Sequence, residues 1–81
     1  MKAREVLNKI KWTEEEDLAS VEIIYKDRIT GIKIIEGKEI ISLERRYFNI
    51  ATTRLPYYKI LKIIRKYKDE KETIIWERSE E

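Results

Sequence analysis

The chain has 81 residues, 18 basic and 16 acidic, with a net charge of +2, and is expected to form one domain (1–81, with 79–81 frayed) around a thin core. It has no cysteine and no histidine. That excludes a disulfide framework, a thiolate metal centre, a cysteine nucleophile and the usual neutral-pH general base. No apolar run reaches the roughly 18–20 residues that cross a bilayer, and no signal-peptide pattern opens the chain, so a soluble cytoplasmic protein is expected. Fifteen isoleucines, 42% charged residues and no glutamine resemble the composition of heat-adapted proteins, although an AT-rich genome gives the same bias.

In chain order, Ala3, Val6, Leu7 and Ile10 recur at i, i+3, i+4 and i+7, which predicts an amphipathic helix ending near Lys11 or Trp12. Trp12 is expected to pack at its end. The acidic Thr13–Asp17 stretch reads as a solvated connector; as a second reading it folds over a basic face as a mimic of nucleic acid. From Ser20 to Lys26, Val21, Ile23 and Tyr25 alternate with Glu22, Ile24 and Lys26 and predict a strand. Asp27–Gly31 reads as a turn in which Gly31 takes positive φ, with Asp27 and Arg28 as a turn pair. A short strand follows over Ile32–Ile35, ended by Gly37. Glu39–Glu44 fits either a strand or a buried helical turn. Arg46–Ala51 looks extended, with Phe48 and Ile50 on one face and Tyr47 and Asn49 on the other.

From Arg45 to Lys68 there are eight basic side chains and no acidic one. The rest of the chain keeps ten of the 18 basic residues against all 16 acidic ones. Clustered cations interleaved with aromatics suit a polyanion that carries stackable bases. Within this window Tyr57, Ile60, Leu61, Ile63, Ile64 and Tyr67 have helical periodicity, with Lys59, Lys62, Arg65 and Lys66 opposite. The competing arrangement pairs this run as a hairpin with Thr73–Arg78, which reads as a strand. Trp76 alternates with Ile74 and is expected to lie in the core.

Four pieces resemble one family when taken in order: Leu7–Trp12, Tyr25–Arg28 followed by Gly31, Leu55–Ile60, and Ile75–Arg78. The set is similar to the RNA cyclic group end recognition domain of small archaeal proteins, also appended to some eukaryotic RNA-processing proteins. The central family motif, Ile-Pro-x-His-Arg-Ile, here reads Leu55-Pro56-Tyr57-Tyr58-Lys59-Ile60. Tyr58 replaces the histidine; it donates a hydrogen bond but is a poor base near pH 7. Lys59 keeps the charge of the arginine and gives up its bidentate fork. The resemblance implies a hairpin, and so favours a strand over Ile60–Tyr67 after a tight turn at Pro56–Lys59. It also implies recognition of RNA ends carrying a 2′,3′-cyclic phosphate.

The expected fold is α+β, an N-terminal helix packed on a small, mostly antiparallel sheet of four to five strands. The expected function is a non-catalytic RNA-binding module, with Arg28, Arg54, Tyr58, Lys59, Lys62, Arg65 and Arg78 as the RNA- and phosphate-binding residues. Tyr58 is taken as exposed and Tyr57 as buried. No catalytic residue, metal or cofactor is expected. Two other classes stay open: a module whose basic face meets an acidic protein partner, and a small metal-independent ribonuclease or phosphodiesterase. An exposed edge strand in so small a sheet leaves room for a homodimer.

Overall fold

The structure is a computed structural model that describes residues 2–12, 18–67 and 71–78. The acidic connector at 13–17 and the terminal residues 79–81 lie outside the described residues. Helix α1 spans Ala3–Trp12 and buries Ala3, Val6, Leu7 and Ile10, the stripe its spacing predicts. Trp12 is 78% exposed, contrary to the expected packing role, with the Lys11 ammonium 5.7 Å from its ring centre. The reason is angular. Two residues beyond the core-facing Ile10, a helix has turned by about 200°, so position 12 points to solvent.

Among the described residues seven strands follow: β1 (Val21–Asp27), β2 (Gly31–Glu36), β3 (Ile40–Leu43), β4 (Tyr47–Ile50), β5 (Arg54–Pro56), β6 (Ile60–Lys66) and β7 (Glu72–Glu77). Three single 3₁₀ turns punctuate them at Leu18–Ser20, Gly37–Glu39 and Tyr57–Lys59. The α+β class and the antiparallel pairing agree with expectation. The larger sheet, ordered β2-β1-β6-β7, has the four strands that the expectation allows, and three further strands make a second sheet, ordered β3-β4-β5. The stretch from Ile40 to Pro56 is cut into three strands of only three or four residues, and these pair with one another. Phe48 and Ile50 on their inner face then join the core built on the larger sheet.

That core unites Leu7 and Ile10 of α1, Val21 and Ile23 of β1, Ile35 of β2, and Ile60 and Ile63 of β6 around Phe48. Tyr25 meets Phe48 edge-on with centroids 6.3 Å apart, and Tyr57 packs on its other side at 5.6 Å. The Asp27–Gly31 turn forms as predicted: Ile29 N–H donates to the Asp27 carboxylate at 2.9 Å and Gly31 has φ of 85°. That hydrogen bond, together with nearby donors, holds the Asp27 carboxyl below its usual range. Asp27 is therefore a turn anchor and not a poised base. Gly37 has a different reason to be glycine. A Cβ there would lie 1.8 Å from the Leu18 carbonyl oxygen, because the two 3₁₀ turns press backbone against backbone.

The segment with competing readings is strand β6. Its register against β1 shifts between Ile24 and Tyr25, which face Lys62 and Ile60, so Leu61 is an extra residue. A bulge of this kind places Ile60 and Ile63, three apart, on the same buried side.

Candidate functional site

A groove of about 720 Å³ opens where four segments meet. The start of α1 contributes Lys2, Ala3 and Arg4, and the β3–β4 loop with the start of β4 contributes Arg45, Arg46 and Tyr47. Pro56, Tyr57 and Tyr58 come from the end of β5 and the 3₁₀ turn, and Trp76, Glu77 and Arg78 from the end of β7. Among the described residues, five lining side chains are thus basic and one is acidic. That acid, Glu77, is ion-paired on the far side of its strand with Lys62 at 3.4 Å. The aromatic members differ in exposure: Tyr58 is 69% exposed, Tyr47 39%, and Trp76 is half-buried against the core.

Two arginines and a buried tyrosine hold the groove together. The Tyr57 hydroxyl donates to the Glu44 carbonyl at 2.6 Å, and Arg4 Nε donates to the same oxygen at 3.2 Å. Glu44 N–H donates to the Tyr47 carbonyl at 2.8 Å, and Tyr57 N–H to the Arg46 carbonyl at 3.3 Å. The loop that displays Arg45 and Arg46 is therefore tied to both α1 and the 3₁₀ turn. Burial pushes the Tyr57 phenol above its ordinary pKa, partly offset by Arg4, so it remains a neutral donor. On the opposite wall, Arg78 Nε donates to the Ile60 carbonyl at 3.0 Å and its Nη2 to the Tyr57 carbonyl at 3.4 Å. Its guanidinium also lies 5.9 Å from the Trp76 ring centre. Arg78 thus braces the turn that carries Tyr58.

The sequence-predicted residues separate into two groups. Tyr58 and Arg78 line the groove, and Lys59 follows Tyr58 in the turn, half-buried. Arg54 lies beside the rim, 5.4 Å from the Tyr47 ring centre and 3.7 Å from the Glu44 carboxylate. Lys62 is not brought in: it pairs with Glu77 on the open face of the larger sheet. Lys66 pairs there with Glu22 at 3.0 Å, a contact that raises the lysine's pKa. Arg65 is half-buried toward the far end of β6, in register with Val21 and Thr73. Arg28 is exposed in the β1–β2 turn. The acid-free window is therefore not one continuous face. Four groove cations were not among the predicted residues. Arg45 and Arg46 stood in the acid-free window beside Tyr47, which was a usable signal. Lys2 and Arg4, at the start of the helical stretch, gave none. Among the described residues no group of three or more His, Cys, Asp or Glu is placed to hold a metal ion, and no helix is long and apolar enough to cross a membrane.

The model of the MJ1316 RNA cyclic group end recognition domain matches residues 1–78. The chain belongs to this family. A UPF0248 protein of Saccharolobus solfataricus is 29% identical over 84 residues, covering 99% of this chain and all of the relative. A UPF0248 protein of Pyrococcus abyssi is 38% identical over 76 residues, 91% of this chain and 86% of its own. One of Thermococcus sibiricus is 40% identical over 65 residues, 78% and 74% of the two chains. The organisms are thermophilic archaea. No solved structure matches significantly.

Proposed function

We propose that the groove binds RNA without catalysis and seats a 3′ end carrying a 2′,3′-cyclic phosphate. The observation that carries this is the convergence of Lys2, Arg4, Arg45, Arg46 and Arg78 with Tyr47, Tyr58 and Trp76 around one cleft, in which the one carboxylate among the described residues is already paired. Such a cleft attracts a polyanion electrostatically, and aromatic faces and guanidinium planes stack with unpaired bases. Arg45 and Arg46 are exposed and serve as phosphate partners, with Lys2 across the groove and Lys59 flanking it. Tyr58 supplies a hydroxyl donor and a ring where relatives of the family motif carry histidine. The family assignment supports RNA-end recognition as the purpose of the cleft. A phenol and guanidinium set, with no histidine in the chain, suits binding rather than general acid–base turnover.

The test is titration of one short RNA with a 2′,3′-cyclic phosphate, a 3′-phosphate or a 3′-hydroxyl end, each at two salt concentrations. If about 4–5 phosphates are neutralised, log K falls against log salt with a slope of roughly −3. A preference for the cyclic end that Tyr58→Ala removes supports end recognition. Equal, salt-sensitive binding of all three leaves a general RNA-binding groove. Absence of binding at low salt rejects both and favours an acidic protein partner for the same cations.

A further inference from the structure

On the proposal that the groove takes an RNA end, the outer face of the smaller sheet continues the ligand's path. We infer that Tyr47 and Arg54 form a second nucleotide subsite, so that the recognised unit is a single-stranded dinucleotide and not an isolated end. Strands β4 and β5 pair with Tyr47 opposite Pro56 and Asn49 opposite Arg54. Cross-strand partners point to the same side, as do residues two apart. Tyr47, Pro56, Asn49 and Arg54 therefore share one face, while Phe48 and Ile50 face the core. Tyr47 and Pro56 are wall residues of the groove, and Arg54 is one step further along. Two residues of strand advance about 6.5 Å, of the order of one nucleotide step in an extended single strand.

The side chains on that step are arranged for a base. The Arg54 guanidinium lies over the Tyr47 ring, 5.4 Å from its centre, and both residues are exposed, so the pair shelters no core surface. Asn49 Nδ2 donates to Ser42 Oγ at 2.8 Å and to the Glu44 carboxylate. The same carboxylate sits 3.7 Å from Arg54 Nε. Glu44 thus holds Arg54 beside Tyr47, and the backbone carbonyl of Glu44 is the oxygen that Tyr57 and Arg4 share in the groove. Site and extension are held by one residue. A nucleobase that extends the Tyr47–Arg54 pair, with its phosphate toward Arg45 and Arg46, uses the kind of platform by which unpaired RNA is bound.

The experiment measures Kd for uridine 2′,3′-cyclic phosphate as a mono-, di- and trinucleotide at 0.15 M salt, on the full chain and on Tyr47→Leu and Arg54→Gln, with folding checked by thermal melts. The dinucleotide is expected to bind about tenfold tighter than the mononucleotide, the trinucleotide within about threefold of the dinucleotide, and each variant to shrink the first step below about threefold. Equal affinity for mono- and dinucleotide with the cyclic preference intact overturns the subsite alone. A first step that survives both folded variants also overturns it. If no length binds, the groove reading and the subsite fall together.

Discussion

The Tyr57 hydroxyl donates to the Glu44 carbonyl at 2.6 Å, and so links the 3₁₀ turn before β6 to the loop that carries Arg45 and Arg46. Tyr57→Phe keeps the ring packed on Phe48 and removes only this bond. The expected loss is about 1 kcal/mol of unfolding free energy, held down because Arg4 still serves the carbonyl. Urea denaturation measures it. The phenol's pKa is raised in the fold, chiefly by burial, above its ordinary 10.0. Its neutral form is favoured by folding, so its contribution is complete below pH 10 and is lost as pH rises through the raised value. The alkaline decline in stability is therefore expected to be shallower in Tyr57→Phe. Tyr25, whose pKa is also raised by burial, leaves a residual slope.

Much of this framework was legible from pattern because local rules and packing agree there. The Ala3–Ile10 stripe, the Val21–Tyr25 alternation, Gly31 in its turn and the buried Phe48 and Ile50 all follow from side-chain period and burial. The buried Tyr57 and exposed Tyr58 were likewise expected. Strand β6 was obscured by its bulge, which turns a period of two into a spacing of three and imitates a helix; the family motif pointed the other way. The groove was only partly legible. The acid-free window named Arg45 and Arg46 by position, but strand alternation sends Lys62 and Lys66 to the opposite face, where glutamates from β7 and β1 neutralise them. Lys2 and Arg4 reach the site through tertiary packing of α1, and no local pattern encodes that.

Arg78 braces the turn through the carbonyls of Ile60 and Tyr57, and acts as a positioning residue for Tyr58. Arg78→Lys keeps the charge and loses the planar fork. The expected cost is about 1–2 kcal/mol in stability, with faster amide exchange at Lys59 and Ile60. RNA affinity is expected to fall while the slope of log K against log salt stays unchanged. Replacing a phosphate partner such as Arg45 with glutamine instead reduces the slope by about 0.7. A slope reduction of about 0.7 in Arg78→Gln, which removes the charge, would show direct phosphate contact and reject the bracing role.

The two groups of cations give a direct comparison. Arg45→Gln/Arg46→Gln is expected to weaken RNA binding and to reduce the salt slope by about 1.4 in total. Lys62→Gln/Lys66→Gln removes the same charge from the open face, where both lysines have glutamate partners. Its effect is expected to stay within about twofold, since screening at 0.15 M salt reaches only about 8 Å. Fluorescence anisotropy with one RNA at several salt concentrations decides between them. Equal losses in the two double variants would mean that the groove is not the specific site, and a larger loss in Lys62→Gln/Lys66→Gln would place the RNA on the open face.

The absence of histidine and cysteine also fixes how binding should respond to pH. Histidine and cysteine are the side chains whose ordinary titration falls nearest the range from about pH 5.5 to 8.5, and the chain has neither. A 2′,3′-cyclic phosphate is a diester with a single negative charge across that range. Its affinity should therefore be flat from pH 5.5 to 8.5. A 3′-monophosphate end gains its second charge near pH 6, so its affinity should rise between pH 5 and 7. The two ends then differ most at low pH, and the discrimination between them narrows as pH increases. Isothermal titration at pH 5.5, 6.5, 7.5 and 8.5 checks both curves. A bell-shaped profile for the cyclic end would require a protein group titrating near neutrality and would count against a groove that recognises the end without histidine or cysteine.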